Sequence, residues 1–248
     1  MPAIEQRLKI KVASYNIHKG IGLDRRRDPD RILAVLREID ADVIALQEAD
    51  RRFGTRAAVI PRQALEEHSP WKAVATGHFN GVRPASIGWH GNVLLVRREI
   101  EVIDVGAVAL PTLEPRGAVC AELRITGRPV RVVGMHLDLS GLHRRKQVRA
   151  VCDHLIAQAC DAPAVMMGDL NEWSITGGAL SSFDAAHRVL APGRSFPARR
   201  PLAQLDRIVV SGGWQVEECG VHHSALAATA SDHLPVWARL ELRDAVSA

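Results

Sequence analysis

The chain has 248 residues, of which 47% are hydrophobic and 24% charged, with a formal net charge of +4. A globular chain of that length buries a sizeable core without covalent staples. No run approaches the roughly 18 apolar residues of a membrane-spanning helix, and the opening MPAIEQRLKIKVASYN lacks a secretory apolar stretch, so the expectation is a soluble, cytoplasmic protein with no obligate protein partner. Cys120, Cys152, Cys160 and Cys219 form no C-x-x-C pair and have no histidine at zinc-ligand spacing, so they read as reduced, buried small hydrophobes.

LKIKVASYN alternates as a strand ending at Asn16. DPDRILAVLREI is a helix with Asp28 as N-cap and Pro29 at its first position, and Ile32, Leu33, Leu36 and Ile39 follow helical spacing. ADVIALQEAD is a second buried strand, ending at Glu48. AVIPRQALEEH carries a short helix, and the rest of residues 50–90 reads as loop. NVLLVRR, EVIDVGAVAL, AVCAELRI and VRVVGMHLD are four strands in succession, which implies antiparallel pairing. SGLHRRKQVRAVCDHLIAQA is a helix capped by Ser140, with Val148, Val151, Cys152, Leu155 and Ile156 as its apolar stripe. APAVMMGDLN is the next strand, residues 174–204 are mostly loop, and LDRIVVSG, WQVEECG and PVWARLEL close the chain as strands. No linker-like break divides residues 1–248, so one domain of two packed sheets with helices outside is expected.

Polar residues interrupt this pattern at strand ends: Asn16, Glu48, His136, Asp138, Asp169, Asn171, Asp206, Asp232 and His233. Each alone reads as a turn residue or a solvated side chain. As a set they offer more. Asp169 and Asn171, two apart on an extended chain, project to the same side. Asn, Asp and Glu supply hard oxygen ligands, which suit Mg2+ with Mn2+ as a substitute. Histidines supply proton transfer. The positive charge is mostly arginine and comes in clusters, Arg25-Arg26-Arg27, Arg51-Arg52, Arg97-Arg98, Arg144-Arg145-Lys146 and Arg199-Arg200, and arginine matches phosphate oxygens bidentately. Metal-assisted hydrolysis of a phosphate ester uses all three resources.

SYNIH, LQE, GNVLLVRR, VVGMHLD, GDLNEW, LDRIVV and SDHLPV, in that order over residues 10–238, resemble the motifs of the endonuclease/exonuclease/phosphatase superfamily. The resemblance implies a four-layer α/β sandwich of the deoxyribonuclease I type, two packed mixed and antiparallel sheets flanked by helices. It implies Glu48 as main metal ligand, Asn16 beside it and Asp232 near or on the metal. It further implies that Asp169 orients or deprotonates the attacking water and that Asn171 stabilises charge developing on phosphorus oxygens. His233 would contact the scissile phosphate, with Asp206 fixing its tautomer, and His136 would be the second histidine. Arg116, in EPRGAVC, stands where some family nucleases carry a phosphate-contacting arginine. Tyr15 and Asn92 would either support these residues or simply pack.

The substrate is less legible. LAQLDRI lacks the Trp-Cys-Asp-Arg signature of the inositol phosphatase branch, and Arg207 stands where AP endonucleases usually carry Tyr. The basic clusters make nucleic acid the first expectation, read through its backbone because aromatic residues are few. A phosphoester at an anionic phospholipid surface is the second. A non-catalytic binding module on a retired enzyme fold is the third.

Overall fold

The computed structural model describes residues 7–51, 57–74, 86–112, 116–158 and 161–243. The chain opens with β1 (Lys9–Asn16), α1 (Pro29–Ile39), β2 (Val43–Gln47), α2 (Arg62–His68), β3 (Trp71–Ala73) and β4 (Val93–Arg97). It crosses to a second sheet for β5 (Glu101–Val108), β6 (Gly117–Ile125), β7 (Arg128–His136), α3 (Gly141–Ala157), β8 (Ala164–Asp169), β9 (His187–Leu190) and β10 (Asp206–Ser211). It returns to the first for β11 (Trp214–Val221) and β12 (Val236–Leu242). Each sheet has six strands, in the orders β11-β12-β1-β2-β4-β3 and β5-β6-β7-β8-β10-β9.

The sheets pack face to face. Val12, Ala45, Leu94 and Val236 of the first meet Val132, Val165, Met167 and Ile208 of the second in a fully buried layer. Burying each such aliphatic side chain contributes about 1.5–3 kcal/mol relative to leaving it in water. Gly134 of β7 marks the closest approach, where a Cβ would stand 2.9 Å from Leu94 Cδ2 and 3.2 Å from Ala45 Cβ. Outside, α1 covers the first sheet through Ile32, Leu33 and Leu36, and α3 covers the second through Val148, Val151 and Leu155. This is the expected four-layer sandwich.

At the centre of each sheet is a parallel pair, β1 with β2 and β7 with β8. Each is a strand–helix–strand unit, crossed by α1 or by α3. All five residues of β2 are buried, which is why its first four form a continuous apolar run rather than an alternating one. The α1 start follows its sequence: the Asp28 carboxylate accepts from Arg31 N at 3.0 Å, with Pro29 at the first position.

Some expectations need correction. The four successive strands are not one antiparallel run, because β4 pairs with β2 and β3 in the first sheet while β5, β6 and β7 form the antiparallel edge of the second. Alternation records burial, not partnership. Ile156 is 72% exposed and lies off the α3 stripe. The Ser140 side chain makes no capping bond; Asp138 instead accepts from Ser140 N at 2.8 Å. Residues 174–204 contain the short edge strand β9. Cys120 and Cys152 are buried and Cys219 is half-buried; Cys160 lies outside the described residues. Among the described residues no helix is long and apolar enough to cross a membrane.

Candidate active site

The two parallel pairs end at the same place. Asn16 stands beside Gln47 at the end of β1 and β2, and His136 beside Asp169 at the end of β7 and β8. Asp206, first residue of β10, is the register partner of Asp169. Asn16 Nδ2 donates to Asp169 Oδ2 at 3.0 Å, a bond that crosses from one sheet to the other. Gly168 allows this crowding: a Cβ there would sit 1.8 Å from Met135 O of β7.

Beneath the mouth lies a dry cluster of opposed charges. Asp169 Oδ2 is 3.4 Å from His136 Nε2 and 3.7 Å from His233 Nε2. His233 Nδ1 pairs with Asp206 Oδ2 at 2.8 Å, across the sheets again. The Ser195 hydroxyl donates to the same Asp206 oxygen. Burial alone would raise the Asp169 carboxyl, but His233, His136 and Asn16 outweigh it and hold it well below the usual carboxylate range. Burial, with nearby Asp169, leaves Asp206 above the usual range despite His233. Burial opposes charge on His233, yet Asp206 and Asp169 dominate and push it up to about 10. The shifts run in opposite senses, favouring the carboxylate form of Asp169 and the protonated form of His233.

The other side of the mouth is oxygen-rich and wetter. β2 stops at Gln47, and Glu48 takes a left-handed φ of 53° that turns the chain at the site. The Glu48 carboxylate meets Lys19 Nζ. Its pKa is lowered: burial opposes ionisation, but Lys19 and His136 prevail. Asp232 Oδ1 accepts from the Ser231 hydroxyl at 3.3 Å and lies 3.8 Å from His18 Nδ1. The Ser231 hydroxyl also bonds Asn16 O at 2.7 Å, tying the turn before β12 to the end of β1.

Residues 13–233 match the Endonuclease/Exonuclease/phosphatase family. The chain belongs to that family. The uncharacterized protein YbhP of Escherichia coli (strain K12) is 29% identical over 268 residues, covering 98% of this chain and 100% of YbhP. A crystal structure of an endonuclease/exonuclease/phosphatase from Bacteroides vulgatus aligns at a TM-score of 0.76 and 19% identity over 95% of this chain and 100% of that one. D. rerio TDP2 complexed with a single strand DNA product aligns at 0.71 and 16% identity over 94% and 98%. Members of the family are generally divalent-metal-dependent hydrolases of phosphate esters.

The donors fit such an ion. Asn16, Glu48 and Asp232 offer hard oxygens, and an ammonium, Lys19 Nζ, already sits against Glu48. Asp169, Asp206 and His233 also lie close enough together to hold a metal. Asp169 and Asp206 Oδ2 are engaged by Asn16, Ser195 and His233, while Asp206 Oδ1 is buried without a hydrogen-bond partner among the described residues. The site thus offers two donor sets, a half-exposed one of oxygens and a buried one that includes an imidazole.

The remaining expected residues divide. Arg116 Nη1 lies against the His136 ring, 2.7 Å from Nδ1. Asn171, at a left-handed φ of 49°, bonds Leu137 O through Nδ2 at 2.9 Å, while its own N–H is held by Asp169 Oδ1 at 2.9 Å. Asp138 is drawn away into the start of α3. Tyr15 is fully buried in the layer beneath α1, and burial raises its hydroxyl pKa. Asn92 bonds Gly117 O and Trp89 O and so joins loops rather than touching the cluster. Sequence reasoning missed Ser195, Lys19, and Phe196, whose ring centroid stands 4.8 Å from that of His233. Ser195 and Phe196 open SFPARRP, a stretch with no periodicity, and Lys19 follows SYNIH by one residue.

Proposed function

We propose that this protein is a Mg2+-dependent phosphodiesterase, with Mn2+ as a workable substitute. The observation that carries the reading is the placement of ionised Asp169 between His136 and His233, with Asn16 bridging to the oxygen-rich side. Asn16, Glu48 and Asp232 would hold the ion, which when bound supplies charge neutralisation to phosphate oxygens. Asp169, with its pKa held low, orients the attacking water through a strong charge-assisted hydrogen bond. His233, its Nδ1 held by Asp206, aims a protonated Nε2 into the site to stabilise the phosphate and supply a proton to the leaving oxygen. Arg116 and the second N–H of Asn171 are donors for the non-bridging oxygens.

The test is hydrolysis of bis(p-nitrophenyl) phosphate beside p-nitrophenyl phosphate, with Mg2+, with Mn2+ and with EDTA, and with Asp169→Asn as control. Metal-dependent cleavage of the diester is expected. Full turnover in EDTA, or by Asp169→Asn, would sink the assignment. No turnover of either ester by a folded protein would favour the non-catalytic alternative.

The basic clusters support nucleic acid as substrate, and activity on DNA would then fall as salt rises. That support is narrower than the sequence implied. Arg97 pairs with Asp40, Arg98 bonds the carbonyls of Glu66 and Ser69, and Arg144 is buried against Glu172. Arg25, Arg26, Arg27, Arg199 and Arg200 remain exposed. A second reading, a phosphodiester presented at a lipid surface, is favoured by aliphatic side chains exposed around the mouth.

A further inference from the structure

Eight large hydrophobic side chains are exposed among the described residues, and five of them gather in one place. Leu139, Leu142, Trp173, Ile175 and Leu202, between 60% and 68% exposed, belong to three loops at the active-site end. Leu139 and Leu142 follow β7 at the start of α3, Trp173 and Ile175 follow β8, and Leu202 precedes β10. The three loops are knitted into one surface. Arg144 binds Leu139 O at 2.6 Å and Glu172 Oε2 at 3.3 Å, joining the first loop to the second. Buried Arg207 reaches Ser174 O. Trp173 meets the edge of Phe196 with ring centroids 6.4 Å apart, joining the second loop to the third, where Leu202 N donates to Phe196 O at 2.8 Å. Phe196 in turn packs on His233, so the surface borders the catalytic cluster.

The exposed charge beside these side chains is mostly positive. Arg145, Lys146, Arg199 and Arg200 are exposed on the same segments. Asp138 and Glu172, the acids nearest these side chains in sequence, are each only 5% exposed and turned inward; Asp184, further along the second connection, is exposed and pairs with His187. Protruding aliphatic side chains and a tryptophan, interleaved with exposed cations, are the composition of an interfacial membrane-binding surface. A nucleic-acid platform would need aromatic faces, and only one of the five residues has one.

We infer that this rim docks the protein onto an anionic phospholipid membrane, with Leu139, Leu142, Trp173, Ile175 and Leu202 entering the headgroup region and Arg145, Lys146, Arg199 and Arg200 contacting lipid phosphates. The catalytic mouth then opens at the lipid surface. This deepens the second substrate reading, and the docking itself requires neither metal nor turnover.

The experiment is co-sedimentation of the full chain, in EDTA, with vesicles of phosphatidylcholine mixed with phosphatidylglycerol and with vesicles of phosphatidylcholine alone. Variants are Leu139→Ser with Leu142→Ser, Trp173→Ser, and Arg199→Ser with Arg200→Ser. Preferential pelleting with the anionic vesicles is expected, weakened by salt and lowered roughly tenfold in partition coefficient by each variant. The Leu139→Ser/Leu142→Ser protein should keep its turnover of soluble bis(p-nitrophenyl) phosphate, so a failed chemistry and a failed docking are read separately. No pelleting by the native chain, or equal pelleting by native chain and variants, overturns the inference. Loss of single-stranded DNA binding in Trp173→Ser, without vesicle capture of any form, overturns it in favour of a nucleic-acid platform. A dimer dissolved by Leu139→Ser/Leu142→Ser, again without vesicle capture, overturns it in favour of a contact between two copies.

Discussion

The two sheets contribute unequally to the site. The first supplies Glu48 and Asp232, with side chains 24% and 35% exposed. The second supplies His136, Asp169 and Asp206, at 6%, 2% and 0%. The first pair is partly open to solvent and partnered by Lys19 and His18, as the proposed ion-binding role would require. The second set is buried and must compensate its own charges, because a low local dielectric strengthens each interaction and makes an uncompensated charge costly. Asn16 and His233, both carried by the first sheet, reach across and make the two sides one site.

The contrast breaks most severely at Asp169. Asp169→Asn is expected to lower turnover of bis(p-nitrophenyl) phosphate by roughly 10²-fold or more in a protein that remains folded. Retained turnover would remove Asp169 from the reaction. Asp206→Ala attacks the dry side through stability: buried His233 loses its hydrogen-bonded carboxylate and keeps only the more distant Asp169, and urea denaturation should show a loss of about 3–5 kcal/mol.

The same pair gives a pH signature in metal-free protein. The folded His233 pKa, about 10, lies above its unfolded value, so its stabilisation is fully present below the unfolded pKa of about 6.5. It is lost as pH rises through the folded value. The urea midpoint should therefore decline from neutral towards alkaline pH, and His233→Gln should flatten that decline. A neutral imidazole would instead have given turnover an acid limb near ~6.5; with His233 charged, the limb belongs on the alkaline side. A profile rising steadily to pH 10 would contradict a charged His233.

On the wet side the effects are smaller. Glu48→Gln should raise the half-saturating Mg2+ concentration roughly tenfold, since one hard anionic ligand is lost. Lys19→Met should act in the opposite direction and by less, because it removes the ammonium that competes for Glu48. Magnesium titrations of the two variants side by side would show whether Glu48 belongs to the ion.

Much of this was legible before any coordinates. Asn16, His136 and Asp169 announce themselves because each ends an apolar run in which a polar side chain needs a reason. Asp28 and Pro29 place the start of α1 by local chemistry alone. The arginine clusters were legible as residues but not as roles, since nothing local distinguishes Arg144, committed to buried Glu172, from Arg145, which faces water. Ser195 and Phe196 were silent because they act on Asp206 and His233, which a separate strand and a distant turn deliver.

By itself, then, the sequence determined which residues could carry chemistry, which segments would be strands or helices, and that two such layers would stack, because periodicity and capping are local. Only the tertiary structure decided that β4 and β5 part into different sheets, that the ends of β1 and β8 meet through Asn16 and Asp169, and that five aliphatic and aromatic side chains gather beside the mouth. Those are outcomes of closing long loops and packing distant faces, and an apolar residue carries the same local signal whether it ends in the core or on the rim.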